Sequence, residues 1–211
     1  MSVQHIEVIV EEASAEAALQ SLLPTLLGET SFSIHAYLGK SELLRRLPDR
    51  LRGYGLRRKT DTWFRDHCRI VVMVDRDDDD CAKLKKDLEK FANDAGLLSR
   101  SRANGKPYVI VTRIAVEELE AWFFGDWQAV VAGYPKVDPH VASQAKFRAC
   151  DEIKGGTWEA LERVLQKSGY FMSGIRKIEF ARTIAANMIA SRNTSPSFQH
   201  FAAAIAELRA A

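Results

Sequence analysis

Arg69-Ile70-Val71-Val72-Met73-Val74-Asp75-Arg76-Asp77-Asp78-Asp79-Asp80 is an apolar run that stops abruptly in a block of acids. Its apolar part, Ile70 to Val74, does not alternate and is mostly β-branched, as expected of a strand buried on both faces in the middle of a parallel sheet. Upstream, Ile6 to Val10 is a second β-branched run, ending in Glu11 and Glu12, and Phe32 to Tyr37 is a third. Downstream, Tyr108 to Val116 completes a set of four and leads into Glu117, Glu118 and Glu120. Helical periodicity fills the gaps. One helix starts near Ser14, a capping residue, and runs towards Leu27 with an expected break at Pro24. Ser41 to Leu51 is an amphipathic helix expected to break at Pro48. Cys81 to Ala95 stops at Gly96, and Glu117 to Ala132 is read as one helix.

Strands alternating with helices predict right-handed crossovers and an α/β fold, with a mostly parallel sheet of about four strands. Beyond Pro135 the strands end, and only helical patterns follow, at Trp158 to Gln166, Ile175 to Ala186 and Phe198 to Leu208. An α/β core over residues 1–135 and a helical C-terminal lobe over 136–211, packed on that core, are therefore expected.

Composition narrows the function. The 211 residues are 46% hydrophobic, enough for a sizeable core and too much for a disordered chain. Thirty basic residues against 28 acidic ones leave a net charge of +2, which selects no partner by itself. No apolar run approaches the roughly 18 residues of a membrane span. No leader-like segment follows Met1, so a cytoplasmic protein without a membrane partner is expected. Cys68, Cys81 and Cys150 show no C-x-x-C spacing, and the five histidines form no H-E-x-x-H, which argues against disulfides and zinc. The residues carry no signature of an oligomeric state.

The acids are placed tellingly. Glu11-Glu12, Asp75 to Asp80 and Glu117-Glu118-Leu119-Glu120 each follow a predicted strand, and the carboxyl ends of parallel strands share one edge, where ligands bind. Two carboxylates about 4 Å apart repel by about 4 kcal/mol at an effective dielectric near 20. Such a cluster takes up protons or a cation. Oxygen ligands without His or Cys favour Mg²⁺ or Mn²⁺, whose chemistry suits phosphodiester cleavage. Simpler roles compete at some positions. The acids of 117–120 sit at a predicted helix start, where the helix dipole stabilises them, and Asp78 to Asp80 can cap the helix from Cys81. Asp75 and Asp77 stand out, because a carboxylate ending a buried strand is costly unless it binds something.

Other motifs fail. An EF-hand from Asp75 would need glycine where Asp80 stands and glutamate where Lys86 stands. Gly39-Lys40-Ser41 matches only the end of a P-loop, since the first glycine would fall on Ile34, although Lys40 remains a candidate phosphate contact. Between Lys40 and Arg69, ten Lys/Arg against four Asp/Glu make a local charge of +6, seven of the cations lying between Arg45 and Lys59. Such a strip is either a nucleic-acid footprint, with Arg45, Arg46, Arg50 and Arg52 as contacts, or a solvated helix face.

Ile9-Val10-Glu11 followed by Val74-Asp75-Arg76-Asp77 resembles the topoisomerase–primase (Toprim) domain, in which a strand ends in Glu and a later one in Asp-x-Asp. The fuller set, VEEASAEAAL (10–19), GKSELLRRLPDRLRGY (39–54), VMVDRDDDDC (72–81), IAVEELEAWFFGD (114–126), GTWEALERVL (156–165) and NTSPSF (193–198), resembles the bacterial Toprim-like family called domain of unknown function 4276. The resemblance implies a Toprim-like fold and a Mg²⁺ site on Glu11, Asp75 and Asp77, with Glu12 and Asp79 as neighbouring candidates. It also implies kinship with overcoming-lysogenization-defect nucleases and, in phage-defence modules, an ATPase partner subunit. Glu12 stands where a typical Toprim domain has glycine, which leaves the choice between Glu11 and Glu12 open.

The expected activity is thus a Mg²⁺-dependent Toprim-type nuclease acting on nucleic acid. Asp75 and Asp77 would be ligands, Glu11 a ligand or general base, Glu120 a fourth acid, and Lys40, Arg45 and Arg76 phosphate contacts. The competing expectation is a non-catalytic module that binds nucleic acid or an ATPase; a small-molecule phosphohydrolase is the third.

Overall fold

The computed structural model describes residues 2–174 and 176–210, and places the apolar run in strand β3 (Cys68–Asp75), buried throughout except at Asp75. Strands β1 (His5–Val10), β2 (Ser31–Ala36) and β4 (Ile110–Ala115) join it in the order β2-β1-β3-β4. All three pairings are parallel, with Val8 opposite both Ile34 and Val71, and Ile70 opposite Ile110. The fold is α/β, as expected.

Nine α-helices surround the sheet among the described residues: α1 (Ala13–Leu27), α2 (Lys40–Thr60), α3 (Thr62–His67), α4 (Cys81–Asp94), α5 (Glu120–Gly125), α6 (Trp127–Gly133), α7 (Thr157–Lys167), α8 (Lys177–Ala185) and α9 (Pro196–Ala210). Side chains alternate across each strand, which divides the core into two layers. Ile9, Ile70, Val72 and Val74 meet α2 and α4 through Leu43, Leu47, Leu84 and Leu88. On the opposite face Val8, Val10, Val71 and Met73 share one cluster with Leu19 and Leu23 of α1 and with Phe180, Phe198 and Phe201 of the C-terminal helices.

Local departures from the expected elements have identifiable causes. Pro24 and Pro48 lie inside unbroken helices. A helix-interior proline costs about 3 kcal/mol, but α2 buries Leu43, Leu47, Leu51 and Tyr54 on one stripe, and each such side chain returns about 1.5–3 kcal/mol. Pro24 and Gln20, whose carbonyl it frees, are both exposed, so that carbonyl is not buried without a partner. Ser14 sits within the first turn of α1 instead of capping it, its hydroxyl donating to the Glu12 carboxylate. The short helix α3 was not expected, and Asp61 caps it by accepting from Phe64 N at 3.0 Å.

The single helix expected over 117–132 is two, α5 and α6, because Asp126 breaks it. The buried Asp126 carboxylate accepts from Ile189 N at 2.8 Å and pairs with Arg192 Nε at 2.5 Å, contacts to a distant segment that override helix continuity. Ile175, the expected start of a C-terminal helix, and Met1 lie outside the described residues. Among those residues no helix is long and apolar enough to cross a membrane, and the three cysteines are free.

Glu89 ties α4 to β4. Burial would raise its carboxyl, but hydrogen bonds from Ser101, Ser99 and Thr112 and from Lys85 outweigh burial and lower it to about 2. A lowered folded-state value adds stability that is complete above the usual carboxylate range and is lost as pH falls towards 2. The shift from 4.5 to about 2 corresponds to about 3 kcal/mol. Glu89→Gln is therefore expected to destabilise the protein by about 2–3 kcal/mol at pH 6 in urea titrations. The gap to the wild type should shrink to about 1 kcal/mol near pH 3; a gap independent of pH would contradict this account.

Candidate functional site

Strand order decides where the site lies. β2 sits on one side of β1 and β3 on the other, so the connections diverge at the carboxyl ends of β1 and β3, the usual ligand crevice of an open α/β sheet. Glu11 follows β1 and Asp75 ends β3. The Asp75 backbone N donates to Glu11 Oε2 at 3.3 Å, and Gly39 N donates to the Glu11 carbonyl at 3.0 Å. The second bond brings the start of α2, and with it Lys40, to the same rim. Lys40 Nζ then contacts Asp77 Oδ2 at 2.7 Å, Asp79 Oδ2 at 2.9 Å and the Arg76 carbonyl at 3.0 Å.

The loops after β3 and β4 are locked together. Arg76 N donates to the Ala115 carbonyl at 2.9 Å, Asp77 N donates to the Glu117 carbonyl at 2.8 Å, and the Arg76 guanidinium pairs with the Glu117 carboxylate. Asp77 and Glu117 both adopt left-handed backbone, with φ of 48° and 61°. Non-glycine residues held there cost of the order of 1 kcal/mol or more each, which concentrates strain where the two loops meet. Glu118 accepts from Thr157 Oγ1 and Trp158 N, both at 2.8 Å, and so caps α7.

Electrostatics follow from burial and crowding. Burial, then the charges of Glu120, Glu11, Asp77 and Glu12, raise the Asp75 carboxyl well above its ordinary range. Burial and Asp77 raise Glu11, against the opposing pull of Lys40. Glu120, 3% exposed, is pushed up to about 8 by burial and by Glu118, while Lys177 of α8 pulls the other way. Glu120 Oε1 is buried without a hydrogen-bond partner.

Among the described residues no three His, Cys, Asp or Glu side chains already converge on a single ion position. The donor set nevertheless suits a hard cation. It offers carboxylate oxygen only, it is crowded enough to raise Asp75 and Glu11, and one cation, the Lys40 ammonium, already bridges Asp77 and Asp79. Glu11, Asp75 and Asp77 are the residues that could hold a divalent cation, with Glu12 and Glu120 close enough to influence the charge at Asp75.

The expected site residues divide in two. Glu11, Glu12, Lys40, Asp75, Arg76, Asp77, Asp79 and Glu120 come from four parts of the chain to one rim. Asp80 caps α4, as expected, accepting from Lys83 N at 2.7 Å. The α2 cations run away from the rim. Arg45 and Arg46 pair with Glu42, Arg52 pairs with Asp49, and Arg50 Nε donates to Tyr54 Oη at 3.1 Å. Tyr54 in turn donates to Glu7 near the far end of β1, at 3.0 Å. At 1.5 Å per residue, Arg50 and Arg52 stand about 15–18 Å along the helix from Lys40.

Some participants were not anticipated. The Arg76 guanidinium is matched by the Glu117 carboxylate, and Lys177, which no motif singles out, acts on Glu120. No local pattern links such distant pairs. Conversely, NTSPSF is structural: Asn193 Nδ2 donates to the Trp122 carbonyl at 2.7 Å, and Ser195 Oγ and Ser197 N donate to the Asp151 carboxylate at 2.6 and 2.7 Å.

A parallel α/β sheet with an acidic cluster at its switch point defines the class. More specifically, a family described as Domain of unknown function (DUF4276) matches residues 10–206, and the chain belongs to that family. No curated protein and no solved structure matches the chain significantly.

Because Asp75 is partly withdrawn from water among like charges, Asp75→Asn is expected to raise stability by about 1 kcal/mol in EDTA near pH 8, the usual yield of relieving one unfavourable charge. Near pH 5, where the wild-type carboxyl is closer to neutral, the gain should diminish. Paired urea titrations measure both, and a loss of stability at pH 8 would show that Asp75 is a structural anchor.

Proposed function

We propose that the protein is a divalent-cation-dependent nuclease of Toprim type, acting on nucleic acid in the cytoplasm. The observation that carries the proposal is the convergence of Glu11, Asp75 and Asp77 at the switch point, with Asp75 and Glu11 held above the ordinary carboxylate range. Bound there, Mg²⁺ or Mn²⁺ would supply charge stabilisation and an activated water for phosphodiester hydrolysis.

The protein's own residues have separable tasks. Asp75 and Asp77 would hold the cation, and Glu11 would either join them or take a proton from the attacking water. Glu120, raised to about 8, retains a proton on its carboxyl near neutral pH and is suited to give it up to a leaving oxygen. Lys40 and Arg76, paired with Asp77, Asp79 and Glu117, balance the acids. A phage-defence role with an ATPase partner extends the same reading and rests on the family resemblance.

One observation favours a second reading: Lys40 already occupies the space between Asp77 and Asp79, as a permanent cation would. In that reading the rim is a non-catalytic docking surface for nucleic acid or an ATPase.

Incubation of the purified protein with supercoiled plasmid and with single-stranded RNA, in Mg²⁺, Mn²⁺ or EDTA, discriminates the two. Metal-dependent cleavage is expected, reduced about 100-fold or more in Asp75→Ala and Asp77→Ala, and by about 10²-fold in Glu120→Gln. Absence of cleavage under every condition, including addition of an ATPase encoded beside it, would leave the docking reading in its place.

A further inference from the structure

A second cavity, of about 680 Å³, lies in the C-terminal region, walled by the 3₁₀ turns at Val141–Ser143 and Cys150–Glu152 and by α7. Five cations line it, Lys136, Lys146, Lys154, Arg163 and Lys167, against two carboxylates, Asp138 and Glu152. Among the described residues none of the five has a carboxylate partner within 4.0 Å. Asp138 is engaged elsewhere, accepting from His140 N at 2.8 Å. All five cations are exposed, whereas Val141, Phe147 and Ile153 form a buried apolar floor. An apolar floor under a rim of uncompensated positive charge suits a ligand with both an apolar body and anionic groups, and the volume is that of a small-molecule site.

The position of the cavity adds a second argument. Glu152, Ile153 and Lys154 also line a crevice of about 390 Å³ shared with Asp77, Asp78, Glu117 and Glu118. The cationic cavity therefore opens beside the acidic rim. In the lining of the smaller crevice, directly after Lys154, Gly155 and Gly156 have φ of 80° and 83°, and a Cβ on Gly156 would strike the Glu159 carboxylate.

We propose that this cavity binds a nucleotide unit, its phosphates on Lys154, Arg163 and Lys167 and its base or sugar against the Val141–Ile153 floor. Within a polynucleotide, this would be the unit neighbouring the phosphodiester presented to the acidic crevice. That last placement rests on the nuclease reading; the binding itself does not.

The test is fluorescence anisotropy of a labelled single-stranded 12-mer on the full-length protein in EDTA, with AMP and inorganic phosphate as competitors. The double reversal Arg163→Glu with Lys167→Glu is expected to weaken binding about 10-fold or more and to flatten the salt dependence by about 1.4 in log–log slope. Arg50→Glu with Arg52→Glu on α2 should change affinity less than about 2-fold, the expectation for contacts outside the binding path. Arg163, Lys167 and Arg52 are exposed and Arg50 is half-buried against Tyr54, so circular dichroism melting checks folding of both pairs; Lys154→Ala provides a milder variant with the same direction of effect.

Displacement by AMP at concentrations where phosphate does not compete supports a site open to free nucleotides. Binding of the 12-mer alone, lost in the cavity variants, supports a site for a nucleotide within a strand. The inference is overturned by no binding of either probe, by equal competition from AMP and phosphate, or by loss of binding in the α2 pair and not in the cavity pair. The two readings fail separately. Binding that depends on the cavity, without metal-dependent cleavage, would sink the nuclease alone, whereas cleavage with an unaltered KM in the cavity variants would sink this inference alone.

Discussion

Like charges that cannot escape one another organise this molecule. The parallel sheet fixes the carboxyl ends of β1 and β3 side by side, and residues there cannot move apart without breaking the ladder between Val8 and Val71. Asp75 and Glu11 are therefore confined, partly out of water, with Asp77 and Glu120 near enough to be felt. A protein that only needed to be stable would replace such a cluster with neutral residues, as buried charges without full compensation are a net cost. Instead, the surrounding structure is bent to keep it: Lys40 is delivered by the turn at Gly39, and Asp77 and Glu117 are held in left-handed backbone by the bond between their main chains.

What could be read in the sequence follows from the range of the forces involved. An unbroken run such as Ile70–Val74 announces a buried strand because burial on two faces acts residue by residue. The convergence of Glu11, Asp75 and Asp77 follows from chain direction alone once the strands are recognised as parallel. The helix boundaries around Asp126 were not legible, since the bonds that end α5 come from Ile189 and Arg192, more than sixty residues away. Pro24 and Pro48 misled for a related reason. The local penalty of proline is visible in the sequence, while the leucine stripes that outweigh it act only after α1 and α2 meet the sheet.

Charge was harder to read than hydrophobicity. Seven cations crowd between Arg45 and Lys59, but helical geometry brings oppositely charged neighbours three or four residues away onto the same face, and Glu42, Asp49 and Asp61 absorb much of that charge locally. The cations of the C-terminal cavity are scattered over more than thirty residues, so no window reveals them. They gather because the turns at Val141–Ser143 and Cys150–Glu152 fold against α7 and leave their side chains facing common space. Density along the chain and density in space are different quantities, and only the second attracts a ligand.

The two signs of charge also constrain each other. An anionic strand approaching the acidic rim meets net repulsion, because Lys40 and Arg76 are already paired with Asp77, Asp79 and Glu117. Screening at physiological salt extends over about 8 Å, so attraction from a distant patch would fade before it helped. For the proposed chemistry, attraction must therefore come from unpaired cations adjoining the rim. Lys154, which borders both cavities, is the residue at which that requirement and the observed geometry meet.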